Sequence, residues 1–248
     1  MAKRKHTYVN FQEEQQVPVF AKTTHAVATA AANQEDYFRV NGEYFEYIQT
    51  AQNDTIFPQP RTATPFGFTL PVDNTDGDGI ELTQGIIGSG VSRAFTVGTD
   101  PGFYLKAGIS LTTRAGVDVL AVGFRELGAY VNSTTPAAFL GAYDEKASIG
   151  VYNSNAGVLS TVTSLAGVDV ATALAHAAWA NGTSLVLEVY VSAAGVVTYK
   201  IDGAADASAV ALTLTTGDVF VPFLVLTATG GGAPGVILQS WECGPTAL

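Results

Sequence analysis

The chain has 248 residues, a formal charge of −10 from 12 Lys/Arg against 22 Asp/Glu, and a single cysteine. That length suffices for one large domain with an appendage, or two small domains, and for a sizeable core without covalent staples. One cysteine excludes an internal disulfide, no apolar run is long enough for a membrane helix, and the polar stretch after Lys3, Arg4 and Lys5 is not a signal peptide.

The charge is uneven. Residues 1–61 hold 6 Lys/Arg and 7 Asp/Glu, whereas residues 62–248 hold 6 against 15. An acidic body does not suit phosphate, so nucleic-acid binding is not expected there. Residues 1–36 have mixed polarity and no clean period, which reads as an extended arm. Lys3, Arg4 and Lys5 are first a solvated terminus and second a polar contribution to a contact.

Residues 37–49 place Asn41-Gly42 between two aromatic-rich runs, a strong hairpin signal. Tyr37, Phe38, Tyr44, Phe45 and Tyr47 carry more aromatic surface than a two-stranded ribbon can hide, so the hairpin needs its own sandwich or a partner to pack on. Pro58, Pro60 and Pro65 mark an extended linker. The expected division is therefore an arm with an aromatic hairpin over 1–61 and a β-sandwich body over 62–248.

From Phe66 onward the pattern is all β. Strands are expected near 66–72, 80–83, 91–97, 103–112, 117–125, 138–143, 147–152, 157–164, 184–192, 196–202, 209–214, 219–228 and 236–242, a spacing typical of a sandwich. Val117–Phe124 and Phe220–Leu226 are apolar on both parities and should be central strands. Pro222 belongs at an edge or bulge, since it removes a ladder donor. One short helix is expected over Val170–Ala178, and Cys243 is a packing residue of the last strand.

The stretch Trp179–Gly203 specifies a hairpin with its register. Leu185, Leu187, Val189 and Val191 alternate with more polar residues, and Val197, Tyr199 and Ile201 repeat the period after Ala193-Ala194-Gly195. A three-residue loop closed by a left-handed Gly195 pairs Val191 with Val197, Val189 with Tyr199 and Leu187 with Ile201. The opposite face then sets Glu188 against Lys200 and Tyr190 against Thr198. A slip of one residue would put the apolar set in water.

Chemistry is sparse. Asn74, Asp76 and Asp78, followed by Gly79, match the first half of a Ca2+ loop with oxygens on alternate residues, but the closing Glu would fall at Gly85. An acidic turn is the first reading and a bound Ca2+ the second; no other cofactor is expected. Gly230–Gly235 fits G-x-G-x-x-G without the helix and βαβ unit that give it meaning. His6, His25 and His176 are scattered, and no nucleophile motif or paired inward carboxylates for glycoside hydrolysis can be placed. The expectation is a protein that is not an enzyme. Trp179 and Trp241 are the candidates for stacking a sugar ring.

The Trp179–Gly203 stretch resembles the back hairpin of concanavalin-A-like or laminin-G-like jelly rolls, without the His that usually follows the Trp. This resemblance implies an all-β jelly-roll β-sandwich, and with the reading of residues 1–61 the expected fold is that sandwich preceded by an extended N-terminal arm with a small hairpin. In addition, DNTDGDGIELTQGI, FTVGTDPGFYLKAGISL, VLAVGFRELGAY and VFVPFLVL, with a terminal Trp strand, resemble structural proteins of tailed bacteriophages. That likeness implies a virion protein made in the host cytoplasm and placed on the capsid exterior. It would be a decoration or cement protein binding the major capsid protein, as a homo-oligomer with a trimer favoured. Tyr37, Phe38, Tyr44, Phe45 and Tyr47, with Lys3 to Lys5, would then attach it. The alternative is a lectin-like carbohydrate-binding module of a phage fibre or appendage.

Overall fold

The computed structural model describes residues 7–10, 34–40, 43–50, 58–61, 63–70, 72, 79–85, 93–128, 135–153 and 156–246. In chain order the strands are β1 (Thr7–Asn10), β2 (Gln34–Val40), β3 (Glu43–Thr50), β4 (Gln59–Pro60), β5 (Phe68–Leu70), β6 (Gly79–Gln84), β7 (Phe95–Thr96), β8 (Phe103–Thr113) and β9 (Val117–Glu126). A short helix, α1 (Pro136–Leu140), precedes β10 (Lys146–Tyr152), β11 (Leu159–Leu165) and β12 (Val168–Ala173). The chain continues through β13 (Thr183–Val191), β14 (Val197–Ile201), β15 (Ala204–Ala205), β16 (Val219–Ala228) and β17 (Gly235–Pro245).

These strands form two antiparallel sheets, as the alternating and doubly apolar runs require. Sheet A runs β15-β14-β13-β8-β17-β5-β4, with β1 also on β17. Sheet B runs β12-β11-β10-β9-β16-β6-β3-β2, with β7 also on β16. Inward side chains of both sheets make one core. Phe95 and Phe103 stack at 4.7 Å, and Phe103 meets Phe124 edge-on at 4.9 Å. β9 and β16 are apolar on both parities because the outer face of sheet B is covered too. There Val119, Ala121, Val162, Phe223 and Val225 gather with Phe139 of α1 in a second cluster.

The Trp179 hairpin has the expected register, with Val191 on Val197, Val189 on Tyr199 and Leu187 on Ile201. Gly195 adopts φ 82°, and the Ser192 N–H donates to Val196 O at 2.9 Å. Cys243 is buried in β17.

Four expectations change. Residues 168–173 form β12 rather than the start of a helix; β-branched Val168, Val170 and Thr172 suit a strand. The run 138–143 instead overlaps the end of α1, where Thr135 caps Ala138 N–H and Pro136 occupies the first turn. Between 209 and 214 there is only a single bridge, Val196 to Thr213. Pro222 sits in a central strand opposite Phe124. It is tolerated because β7 pairs with Val219 and Phe220, and β6 takes over only at Phe223, so that side of the ladder is interrupted at Val221 and Pro222.

The strands of residues 1–61 are also part of the sandwich. β3 pairs along β6, β4 pairs with β5, and β1 pairs with β17. The aromatic hairpin thus extends sheet B of its own chain, and no break in the sheets falls at residue 61.

Candidate functional site

The outward face of sheet A carries an ordered set of polar side chains. The register sets Lys200 of β14 opposite Glu188 of β13, Glu188 opposite Lys106 of β8, and Lys106 opposite Glu242 of β17. Opposed residues of neighbouring strands share a face, so this is a row of alternating charge across four strands. One step along the strands, Tyr190 lies opposite Tyr104. Their rings stack at 5.5 Å with planes 22° apart.

Each tyrosine is tied to the charged row. Tyr104 Oη donates to Glu242 Oε1 at 2.5 Å, and Tyr190 Oη donates to Glu188 Oε2 at 2.7 Å. The Lys106 ammonium lies 5.5 Å from the Tyr104 ring centre, and that of Lys200 lies 4.7 Å from the Tyr190 ring. Glu188 also accepts the Gly203 N–H at 2.7 Å and stands 3.9 Å from Lys106 Nζ. Lys200, the partner expected for Glu188, instead covers the tyrosine, and Lys106 from the neighbouring strand approaches the carboxylate. Burial first, then the hydrogen bond to Glu188, pushes the Tyr190 phenol well above its ordinary range. That phenol remains a donor at physiological pH.

The Lys106 side chain is 34% exposed against 5% for Glu188. At this point of the row the ammonium is the more accessible group and the carboxylate is buried. Two of the three lysines of residues 62–248, Lys106, Lys146 and Lys200, meet here in an otherwise acidic body.

A second polar group is sealed under the α1 segment, on the outer face of sheet B. Arg125 Nε donates to Glu81 Oε1 at 2.9 Å, and Tyr143 Oη donates to Glu81 Oε2 at 2.7 Å. The Arg125 guanidinium lies over the Tyr143 ring at 4.3 Å. Lys146 donates to the carbonyls of Phe139, Leu140 and Ala142, which end α1. Burial pulls its pKa down to about 8 against the pull of Asp169 and Glu81. Arg125, Glu81 and Lys146 are all buried. This arrangement fastens the α1 segment onto sheet B.

The residues expected to carry function fall elsewhere. Trp179 and Trp241 are 1% and 0% exposed, so neither offers a ring face to a sugar. Trp179 Nε1 donates to Thr183 O, and Trp241 Nε1 to Gln84 Oε1. Phe45 is fully buried, with its ring edge-on to Trp241 at 5.8 Å, so it is used inside the molecule. Tyr37, Phe38, Tyr44 and Tyr47 lie on β2 and β3. Lys3, Arg4, Lys5, Asn74, Asp76 and Asp78 lie outside the described residues. No group of three metal-ligating side chains occurs among the described residues. The sequence places Glu188, Lys200 and Tyr190 on one hairpin face, as cross-strand pairs rather than as a site. Tyr104, Lys106 and Glu242 were missed because nothing local reveals that β13, β8 and β17 are neighbours.

No protein-family model matches the chain, and no curated protein does. Solved structures do. The carbohydrate recognition domain of Emp47p aligns at a TM-score of 0.53 and 8% identity, covering 98% of each chain. A structure of botulinum neurotoxin type C aligns at 0.49 and 12% identity over 86% of this chain and 46% of that one. The binding domain of botulinum neurotoxin DC with sialylT aligns at 0.48 and 11%, over 86% and 45%. The chain spans about half the length of these neurotoxin structures. At such identities the Emp47p likeness concerns the fold: a jelly-roll-like β-sandwich of the kind found in lectin domains.

Proposed function

We propose that the chain is a carbohydrate-binding module that takes its ligand on the outer face of sheet A. The observation that carries this reading is the row Lys200, Glu188, Lys106 and Glu242 beside the Tyr104–Tyr190 stack. Saccharide hydroxyls can accept from the Lys106 and Lys200 ammonium groups, while Glu188, buried and already accepting from Tyr190 and Gly203, helps to fix this face. Placement on four paired strands fixes the groups before binding, which lowers the ordering cost. Similarity to the Emp47p carbohydrate recognition domain over the full length supports the same reading. Binding, not turnover, is the activity proposed. A glycan array followed by titration calorimetry tests it: wild type should select a saccharide family, and Lys106→Ala with Lys200→Ala should weaken that binding tenfold or more. A flat array, or an unchanged affinity in the double variant, rejects the site.

The virion setting is a separate proposal that rests on the sequence resemblance alone. Capsid decoration through an aromatic arm finds no support in Phe45, which is buried against Trp241. The fibre or appendage form of the proposal is compatible with a lectin-like module. Copy number in purified particles, relative to the shell protein, separates the two: hundreds for decoration, some tens or fewer for an appendage. Bound Ca2+ at Asn74, Asp76 and Asp78 would raise the melting temperature on adding the ion.

A further inference from the structure

β12 is the edge of sheet B, and it is poorly protected as an edge. Five of its six residues, Val168–Ala173, are exposed and Thr172 is half-buried, with Val168 at 65% and Val170 at 37%. Natural edge strands are usually guarded by Lys, Pro, a bulge or a covering segment. β12 contains no Lys, Arg or Pro, and its pairing with β11 shows no register shift. Its one charge, Asp169, is exposed; its carboxylate lies on the side of Gly141 at the end of α1 and acts on Lys146.

The direction of the backbone groups follows from the β11 ladder. Leu174 N–H donates to Leu159 O at 2.8 Å. In an antiparallel ladder bonded pairs alternate, so Val168, Val170 and Thr172 address β11 and Asp169, Ala171 and Ala173 address the edge. Among the described residues no strand takes these outward groups.

We propose that this edge binds the β12 of a second copy of the chain, antiparallel, about a two-fold axis beside Ala171. Antiparallel partners place opposed side chains on the same face, which restricts the register. Centring on Asp169 would oppose two carboxylates. Centring on Val170 leaves the outward groups of Ala173 facing the β11–β12 turn. Centring on Ala171 pairs Ala171 with Ala171, and Asp169 with Ala173 twice, so all outward groups are satisfied by roughly six hydrogen bonds. Val170 then meets Thr172 of the other copy, and like charges are never opposed. Two copies of sheet B become one continuous sheet, an isologous and closed contact.

Analytical ultracentrifugation of the full chain at tens of micromolar provides the test. Wild type should sediment at twice the 25.8 kDa chain mass. Ala171→Asp and Ala171→Lys each oppose like charges across the axis and should raise the dimer dissociation constant at least tenfold. An equal mixture of the two should restore the dimer, which a folding defect in either would not allow. Ala171→Pro removes only an outward N–H and should also give a monomer, with the melting temperature reporting the intact fold. A monomeric or trimeric wild type, or a dimer that survives Ala171→Asp, overturns the proposal.

Discussion

Phe45 stands edge-on to Trp241, ring centres 5.8 Å apart, and so joins the early aromatic hairpin to the last strand across the sandwich. Both rings are fully buried. Phe45→Ala should cost about 3–5 kcal/mol, the usual range for deleting a buried ring, read from urea unfolding. Deleting residues 1–61 removes β1 to β4 from both sheets, and the remainder should fail to fold. A soluble, cooperatively melting 62–248 fragment would show that these strands are accessory.

The Arg125–Glu81 pair gives a second prediction. Arg125→Ala removes the cation from Glu81 Oε1 and leaves a buried carboxylate with Tyr143 Oη on Oε2, and should destabilise by about 3–5 kcal/mol. Arg125→Met with Glu81→Leu should cost less than the Arg125 change alone, because the desolvation of both charges disappears with them. Denaturant titration of the variants decides this, and simple additivity would argue against coupling.

Lys146 predicts a pH dependence with a definite sign. Its pKa is about 8 in the fold and near 10.5 when unfolded, so between these values the unfolded chain binds more protons than the native one. Stability from this group therefore rises with pH across that interval, by up to about 3 kcal/mol, and is flat below it. The difference in unfolding free energy between wild type and Lys146→Met, followed from pH 7 to 10, isolates the effect. A difference that does not change with pH would mean that the ammonium stays charged throughout.

Gly195 offers a local test of the hairpin. Its φ is 82°, and an added Cβ would lie 2.4 Å from Leu214 O. Gly195→Ala should cost more than the roughly 1 kcal/mol of left-handed strain alone, through displacement of the 212–216 segment. Thermal melts of this variant beside Gly182→Ala, whose Cβ would meet nothing within 4 Å, separate the clash from the strain.

How much was legible follows from where the information lies. The 179–203 hairpin was readable to the residue because turn chemistry and period-2 alternation are local. The doubly apolar β9 and β16 announced their central position for the same reason. The helix expected over 170–178 was an error of composition: alanines suggested helix, while pairing of Val168–Ala173 with β11 decided for strand. The aromatic hairpin was recognised as needing its own sandwich or a partner, and β3 pairs along β6 of its own chain. The candidate site was not recognised: Glu188, Tyr190 and Lys200 were legible only as partners within one hairpin, and Tyr104, Lys106 and Glu242 join them through non-local pairing.

The pairing of β1 with β17, Thr7 against Cys243, has a consequence for how the protein is made. Synthesis runs from one end, so the earliest described strand must wait for the latest before it has a neighbour to bind. Sheet A can be completed only after residues 235–245 have emerged from the ribosome. Contacts this distant in sequence are slow to form, and until they do the edge reserved for β17 stays open to other nascent chains. The step that closes sheet A is thus open to competition in a crowded cell.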